Sequence, residues 1–246
     1  AQVSIPWAAQ AAALGHKIGN TAWAFITPCH WQVGQAQVTL LDPHLLDLQE
    51  AESRALLAAM QPYFAEDGIT LHYERADRWL AQGDIFRSLN CASLERVIGQ
   101  DLAPWMPASS SLRRLQNEMQ MLLYSHPAND ERASRRALPV NSFWVSGCGM
   151  LAAAPPGPKS IPHLVTRLMP AALQQDWRTW GQAWQALDAK ELAQLLAALE
   201  AGDTSARLTL CNEDCTLDFL PAQRSLWQSL ASLLRPNTLA ALWKQI

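Results

Sequence analysis

Between His126 and Gly149 the chain gathers side chains suited to holding an anion. His126-Pro127-Ala128-Asn129, then Arg132, Arg135 and Arg136, then Pro139-Val140-Asn141 put three guanidinium groups and two carboxamides close together in sequence. Arginine offers a planar fork of donors that matches carboxylate or phosphate oxygens, and carboxamides with the backbone amides of a glycine turn complete such an anion's hydrogen bonds. Gly147-Cys148-Gly149 supplies that turn. A structural reading stands beside the binding one. His126 is placed to cap the preceding helix, the three arginines could form a solvated face paired with Asp130 and Glu131, and Asn129 and Asn141 are common turn residues. Glu118, at the edge of a helix stripe, and His30 are secondary candidates. Cys29 and His30 are adjacent, so a strand would point them to opposite faces and deny them a nucleophile–base pairing.

Other positions narrow the field. Of 246 residues, 49% are apolar and 17% charged, enough to fold around a core, and the net charge of −3 disfavours a general nucleic-acid binder. No run of about 18 apolar residues suggests a membrane span. No basic region followed by an apolar run is visible after Ala1, so a secretory leader is not read and a cytoplasmic location is expected. The five cysteines are scattered and lack a CxxC pair, which disfavours a disulfide framework and a zinc site.

The elements that must position the segment read as α/β. Ala24 to Thr27 and Val38 to Leu41 are β-rich runs between turns. Asp47 and Glu50 are spaced as a capping box for a helix through Leu56, Met60 and Phe64, stopped by Asp67-Gly68. Ile69 to Tyr73 alternates as a strand, and Phe86 to Leu89 reads as another. Pro104, Pro107 and Ser109 to Ser111 form a connector before a helix with the stripe Leu112, Leu115, Met119, Leu122, Leu123. Asn141 to Ser146 is a buried strand that Gly147-Cys148-Gly149 ends in a loop.

The proline-rich stretch from Ala152 to Pro162 reads as a linker or lid. Past it, Trp177, Trp180, Trp184 and Leu187 lie at helical spacing and suit core packing. Asp188 and Glu191 cap a further helix that ends at Gly202. Arg207 to Cys211 and Cys215 to Phe219 form a hairpin, and Pro221 opens a last amphipathic helix. The fold class is therefore α/β, a mixed sheet covered by amphipathic helices, in a single domain over 1–246 or divided near 152–162 into 1–151 and 163–246.

A resemblance sharpens the expectation. His126 to Gly149 is similar to the stretch HPVNxxR, PxN, apolar strand and GxG of archaeal-type cofactor-independent phosphoglycerate mutases. The wider chain resembles the proteobacterial RpfE-type regulatory proteins, often labelled phosphoglycerate mutase-like, through Pro28-Cys29-His30-Trp31, Leu40-Leu41-Asp42-Pro43 and the run Leu115 to Leu123. The resemblance allows a partial alkaline-phosphatase-like fold and implies ligand or pocket-shaping roles for His126, Asn129, Arg132, Asn141, Gly147 and Gly149. Arg135 and Arg136 follow as weaker candidates. Arg136 stands where the mutases tend to have Gly.

Those mutases need a nucleophilic Ser or Thr and two metal ions held by Asp and His clusters, and this sequence lacks such clusters. The leading expectation is thus a non-catalytic or regulatory protein binding a small phosphorylated or carboxylated metabolite, with no cofactor and no metal. Two alternatives stand behind it: a phosphoglycerate mutase or phosphatase using Mn or Mg, and a module that docks a protein partner.

Overall fold

The computed structural model describes residues 5–151, 163–211 and 216–221. The linker expected at 152–162 and the helix expected beyond Pro221 lie outside the described residues. The chain forms two compact units, Ala1–Leu164 and Val165–Ile246.

The first unit opens with helix α1 (Trp7–Ala12), followed by strands β1 (Ala22–Cys29), β2 (Trp31–Val33) and β3 (Val38–Leu40). A 3-10 turn at Pro43–Leu46 leads to helix α2 (Glu50–Glu66), then to β4 (Thr70–Arg75) and β5 (Arg78–Gln82). Next come α3 (Leu94–Val97), α4 (Ser110–Tyr124), α5 (Pro127–Ser134) and the long strand β6 (Ser142–Met150). β2 and β3 make a small hairpin, and the main sheet runs β4-β5-β1-β6 with every neighbouring pair antiparallel. The α/β class expected from the pattern is the one found, with the main sheet antiparallel where a mixed one was expected.

Alternation along β1 explains the layers. Ala22, Ala24 and Ile26 face a core with Leu56, Met60 and Phe64 of α2, Leu115, Met119 and Leu123 of α4, and Phe143 and Val145 of β6. Trp23 and Phe25 point the other way, onto Ala8, Ala9 and Ala12 of α1. Small residues on α1 let it lie close against those two rings. At the sheet end, Cys29, Trp31, Leu40, Val97 and Trp144 form a third cluster.

Several local expectations shift. The capping box forms two residues later than Asp47 and Glu50: Asp47 takes a left-handed φ of 43° that ends the preceding 3-10 turn, and Glu52 Oε2 accepts from Gln49 N at 3.0 Å. Phe86 to Leu89 is not a strand. Phe86 closes a 3-10 turn (Asp84–Phe86) and is fully buried. Two strands were missed in the sequence: β2, three residues long, and β5, a short buried run between charged residues that makes two ladders.

In the second unit, α6 (Leu168–Leu173) precedes α7 (Trp177–Leu187), whose Asp176 cap accepts from Thr179 N. Asp188 and Glu191 do not begin a new helix, because a π turn at Asp188–Leu192 carries α7 straight into α8 (Ala193–Glu200). Trp177, Trp180 and Trp184 stack edge to face at 6.1 and 5.8 Å. Gly202, at φ +86°, follows the helix end, and β7 (Leu208–Cys211) pairs with β8 (Thr216–Phe219) as the expected hairpin. Among the described residues no helix is long and apolar enough to cross a membrane.

One polar link ties α2 to the sheet. Trp79 Nε1 of β5 donates to Ser53 Oγ at 2.8 Å, and that hydroxyl donates to Ala76 O at 2.7 Å. Ser53 and Trp79 are both fully buried. Ser53→Ala strands the indole N–H away from water, so urea unfolding should show a loss of about 1–3 kcal/mol. A loss below about 0.5 kcal/mol would mean that the bond contributes nothing to stability.

Candidate functional site

The segment from His126 to Gly149 folds as the turn before α5, α5 itself, a loop and β6. His126 is the N-cap of α5: its Nδ1 accepts from Ala128 N at 3.2 Å, with Pro127 in the first helical position. It therefore serves the helix that follows, where capping of the helix before had been expected.

Asn129 is buried, and its carboxamide is spent on the main chain. Nδ2 donates to Leu123 O and Val140 O, both at 2.7 Å, and Oδ1 accepts from Val140 N at 2.9 Å. This side chain fastens the end of α4 to the entrance of β6. Asn141 acts similarly across the sheet end: Oδ1 accepts from Trp31 N at 2.7 Å and Nδ2 donates to Trp31 O at 2.9 Å, so the amide mimics a ladder partner where β1 gives way to β2. His30 beside it donates Nδ1–H to Pro139 O at 2.8 Å. Its neighbour Cys29 is wholly buried, and burial pushes the thiol well above its usual range.

Arg132 has no exposed surface. Nε donates to Leu138 O at 2.7 Å, Nη1 to Glu52 Oε2 at 3.1 Å and Nη2 to Leu46 O. Burial lowers the guanidinium's proton affinity from its ordinary value, while the Glu52 carboxylate opposes that shift. The group stays charged all the same. Arg135, on the surface, reaches the other oxygen of Glu52. Glu52 thus serves the cap of α2, Arg132 of α5 and Arg135 just past its end, a role with no sign in the sequence beyond a Glu three residues into a helix.

Arg136 is exposed. It sits at φ +59°, with Arg136 N bonded to Ala133 O and Ala137 N to Arg132 O, the pair of bonds that closes a helix through a left-handed residue. Glycine is the residue this geometry favours, which is what the resemblance had suggested for the position. On α4, Glu118 pairs with Arg114, which also holds Asp67.

Gly147 and Gly149 do not end β6; the strand runs on to Met150. Trp23 faces Gly149 and Phe25 faces Ser146, so one extra residue bulges opposite Ala24, with Gly147 at φ +61°. A Cβ at Gly147 would stand 2.8 Å from the Phe25 ring, and one at Gly149 2.8 Å from Pro6 Cβ. The glycines let the start of α1 pack on the sheet. Gly149 also borders a cleft of about 310 Å³ lined by Pro6, Arg87, Ser88, Asn90, Cys148 and Met150. Sequence reasoning missed Arg87. It donates through Nη2 to Asp84 and Asn20 O, both at 2.8 Å, while its Nη1 meets, among the described residues, only the Met150 thioether.

The structure therefore brings Asn129, Arg132 and Asn141 together as braces of the backbone, with His126 capping, and leaves Gly149 at the edge of open volume. Among the described residues no group of three or more His, Cys, Asp or Glu gathers as a metal site.

No protein-family model matches the chain, and no curated protein does. A solved structure similar in part is a cofactor-independent phosphoglycerate mutase from Thermoplasma acidophilum, at 17% identity and a TM-score of 0.43 over 58% of this chain. The chain spans 41% of that enzyme's length.

Two substitutions test the bracing geometry. Arg132→Ala takes the buried donor from the Leu46 and Leu138 carbonyls and leaves Glu52 with Arg135 and Gln49 N–H alone, and should cost about 3 kcal/mol in chemical denaturation; a cost near that of a surface arginine would show the group to be solvated instead. Arg136→Gly relieves a side chain in the left-handed region and should raise stability by about 0.5–1 kcal/mol, whereas a destabilised variant would contradict the helix-end geometry.

Proposed function

We propose that the protein binds a small phosphorylated or carboxylated metabolite, without transforming it, in the cleft beside Gly149, and that it belongs with the regulatory RpfE-type proteins that its sequence resembles. The observation that carries this reading is the position of Arg87. One edge of its guanidinium is neutralised by Asp84, but among the described residues Nη1 donates only to a thioether, a weak acceptor that an oxyanion would replace with gain. Ser88 and Asn90 add hydroxyl and carboxamide groups to the same cleft, and its volume is at the small end for ligand pockets.

This places the anchor at Arg87, in contrast to the expectation from the sequence. The donors of Asn129, Arg132 and Asn141 already have partners within the fold, so a ligand at those groups would have to break them. Their contribution to binding is to hold β6, and with it Gly149, in place. The enzymatic alternative, with Mn or Mg, would need metal ligands from outside the described residues.

Thermal denaturation with inorganic phosphate, citrate and phosphoglycerate tests the reading. The Tm of the wild-type chain should climb with the logarithm of anion concentration. Arg87→Ala should lose that response, while Arg178→Ala, which removes the same charge from the second unit, should keep it. If no anion raises the Tm, or if Arg87→Ala responds like the wild type, the cleft is not the binding site.

A further inference from the structure

Two cysteines distant in sequence approach each other beside the same cleft. Cys148, in the bulge of β6, lines it and is otherwise buried, and Cys91 lies half-buried in the loop after Asn90. The bulge leaves Cys148 without a register partner on β1, and its N–H turns instead to Cys91 Sγ at 3.3 Å. Trp144 Nε1 donates to Ala92 O at 3.1 Å, which pins the Cys91 loop to β6.

We propose that Cys91 and Cys148 form an oxidisable dithiol, a modification site at which a small peroxide converts the pair to an internal disulfide. The Cys91 thiolate attacks one peroxide oxygen; the S–O bond forms, the O–O bond breaks, and the departing oxygen takes a proton and leaves as water or an alcohol. Cys91 is then a sulfenic acid. Cys148 sulfur attacks it, giving up its proton to the hydroxide that leaves as water, so that two thiols are oxidised and one peroxide is reduced.

The neighbours assign the order. The Cys148 thiol, with its backbone N–H, stabilises charge on Cys91 and draws that thiol below its ordinary range against the opposing effect of burial. Cys148 moves the other way, because it donates to Cys91 and is buried. Cys91 is thus the sulfur that ionises and reacts first, and Cys148 resolves it. Cys29 is fully buried, and Cys211, though exposed, has no thiol partner among the described residues. The inference holds whether or not the cleft also takes an anion.

Full-length protein treated with hydrogen peroxide and digested without reduction should yield a cross-linked peptide pair carrying Cys91 and Cys148, with a mass lower by two hydrogens. Cys148→Ser should halt at the sulfenic acid, captured on Cys91 by dimedone. Cys91→Ser should give neither product. The wild-type protein provides a check free of folding effects, since iodoacetamide should label Cys91 at lower pH than Cys211. Peroxide modification reaching Cys29, Cys211 or Cys215 before Cys91, or a Cys91 that labels only at the pH of an ordinary thiol, would overturn the proposal.

Discussion

A guanidinium with no exposed surface governs the arrangement of the first unit. Taking Arg132 out of water is costly, and the cost is offset only if its donors meet acceptors of good geometry. Those acceptors come from three places: the Glu52 carboxylate in the first turn of α2, the carbonyl of Leu46 before it, and the carbonyl of Leu138 after α5. The helices cannot slide past one another without exposing a buried charge. Glu52 is held from its other side by Gln49 N–H and Arg135, so the acceptor is as fixed as the donor.

With α5 locked in this way, the amides do the remaining positioning. Asn129 binds the end of α4 and the start of β6 to one side chain, and Asn141 joins the first residue of β2 to the approach of β6. The result is a strand whose far end is set by polar bonds and whose near end is set by packing of Pro6 and Phe25 against two glycines. The cleft lies at the second of these ends, beside Gly149.

Much of this frame was legible in the sequence. The stripe on α4, the apolar start of β6 and the β7–β8 hairpin follow from period and turn chemistry, and structure found them where expected. β5 escaped because Arg78 to Gln82 is too short and too flanked by charge to show alternation, although tertiary pairing on both sides makes it central. The two acidic residues read as a helix start at Asp188 and Glu191 sit instead in a π turn, a local geometry that composition does not announce. The donors of the His126 to Gly149 segment were visible as chemistry but not as destination. Whether an arginine turns to a ligand or to a carbonyl depends on residues such as Leu46 and Glu52, which lie far away along the chain and look ordinary there.

The order of strands in the main sheet has a cost of its own. β1 sits between β5 and β6, and its ladder to β6 joins Cys29 to Ser142 and Ala22 to Met150, residues more than a hundred positions apart. Closing so large a loop loses chain entropy that no local hydrogen bond can return. The β4–β5 hairpin and the separate helices can form from neighbouring residues alone, but the strand that carries both glycines has nothing to pair with until most of the first unit has gathered around it.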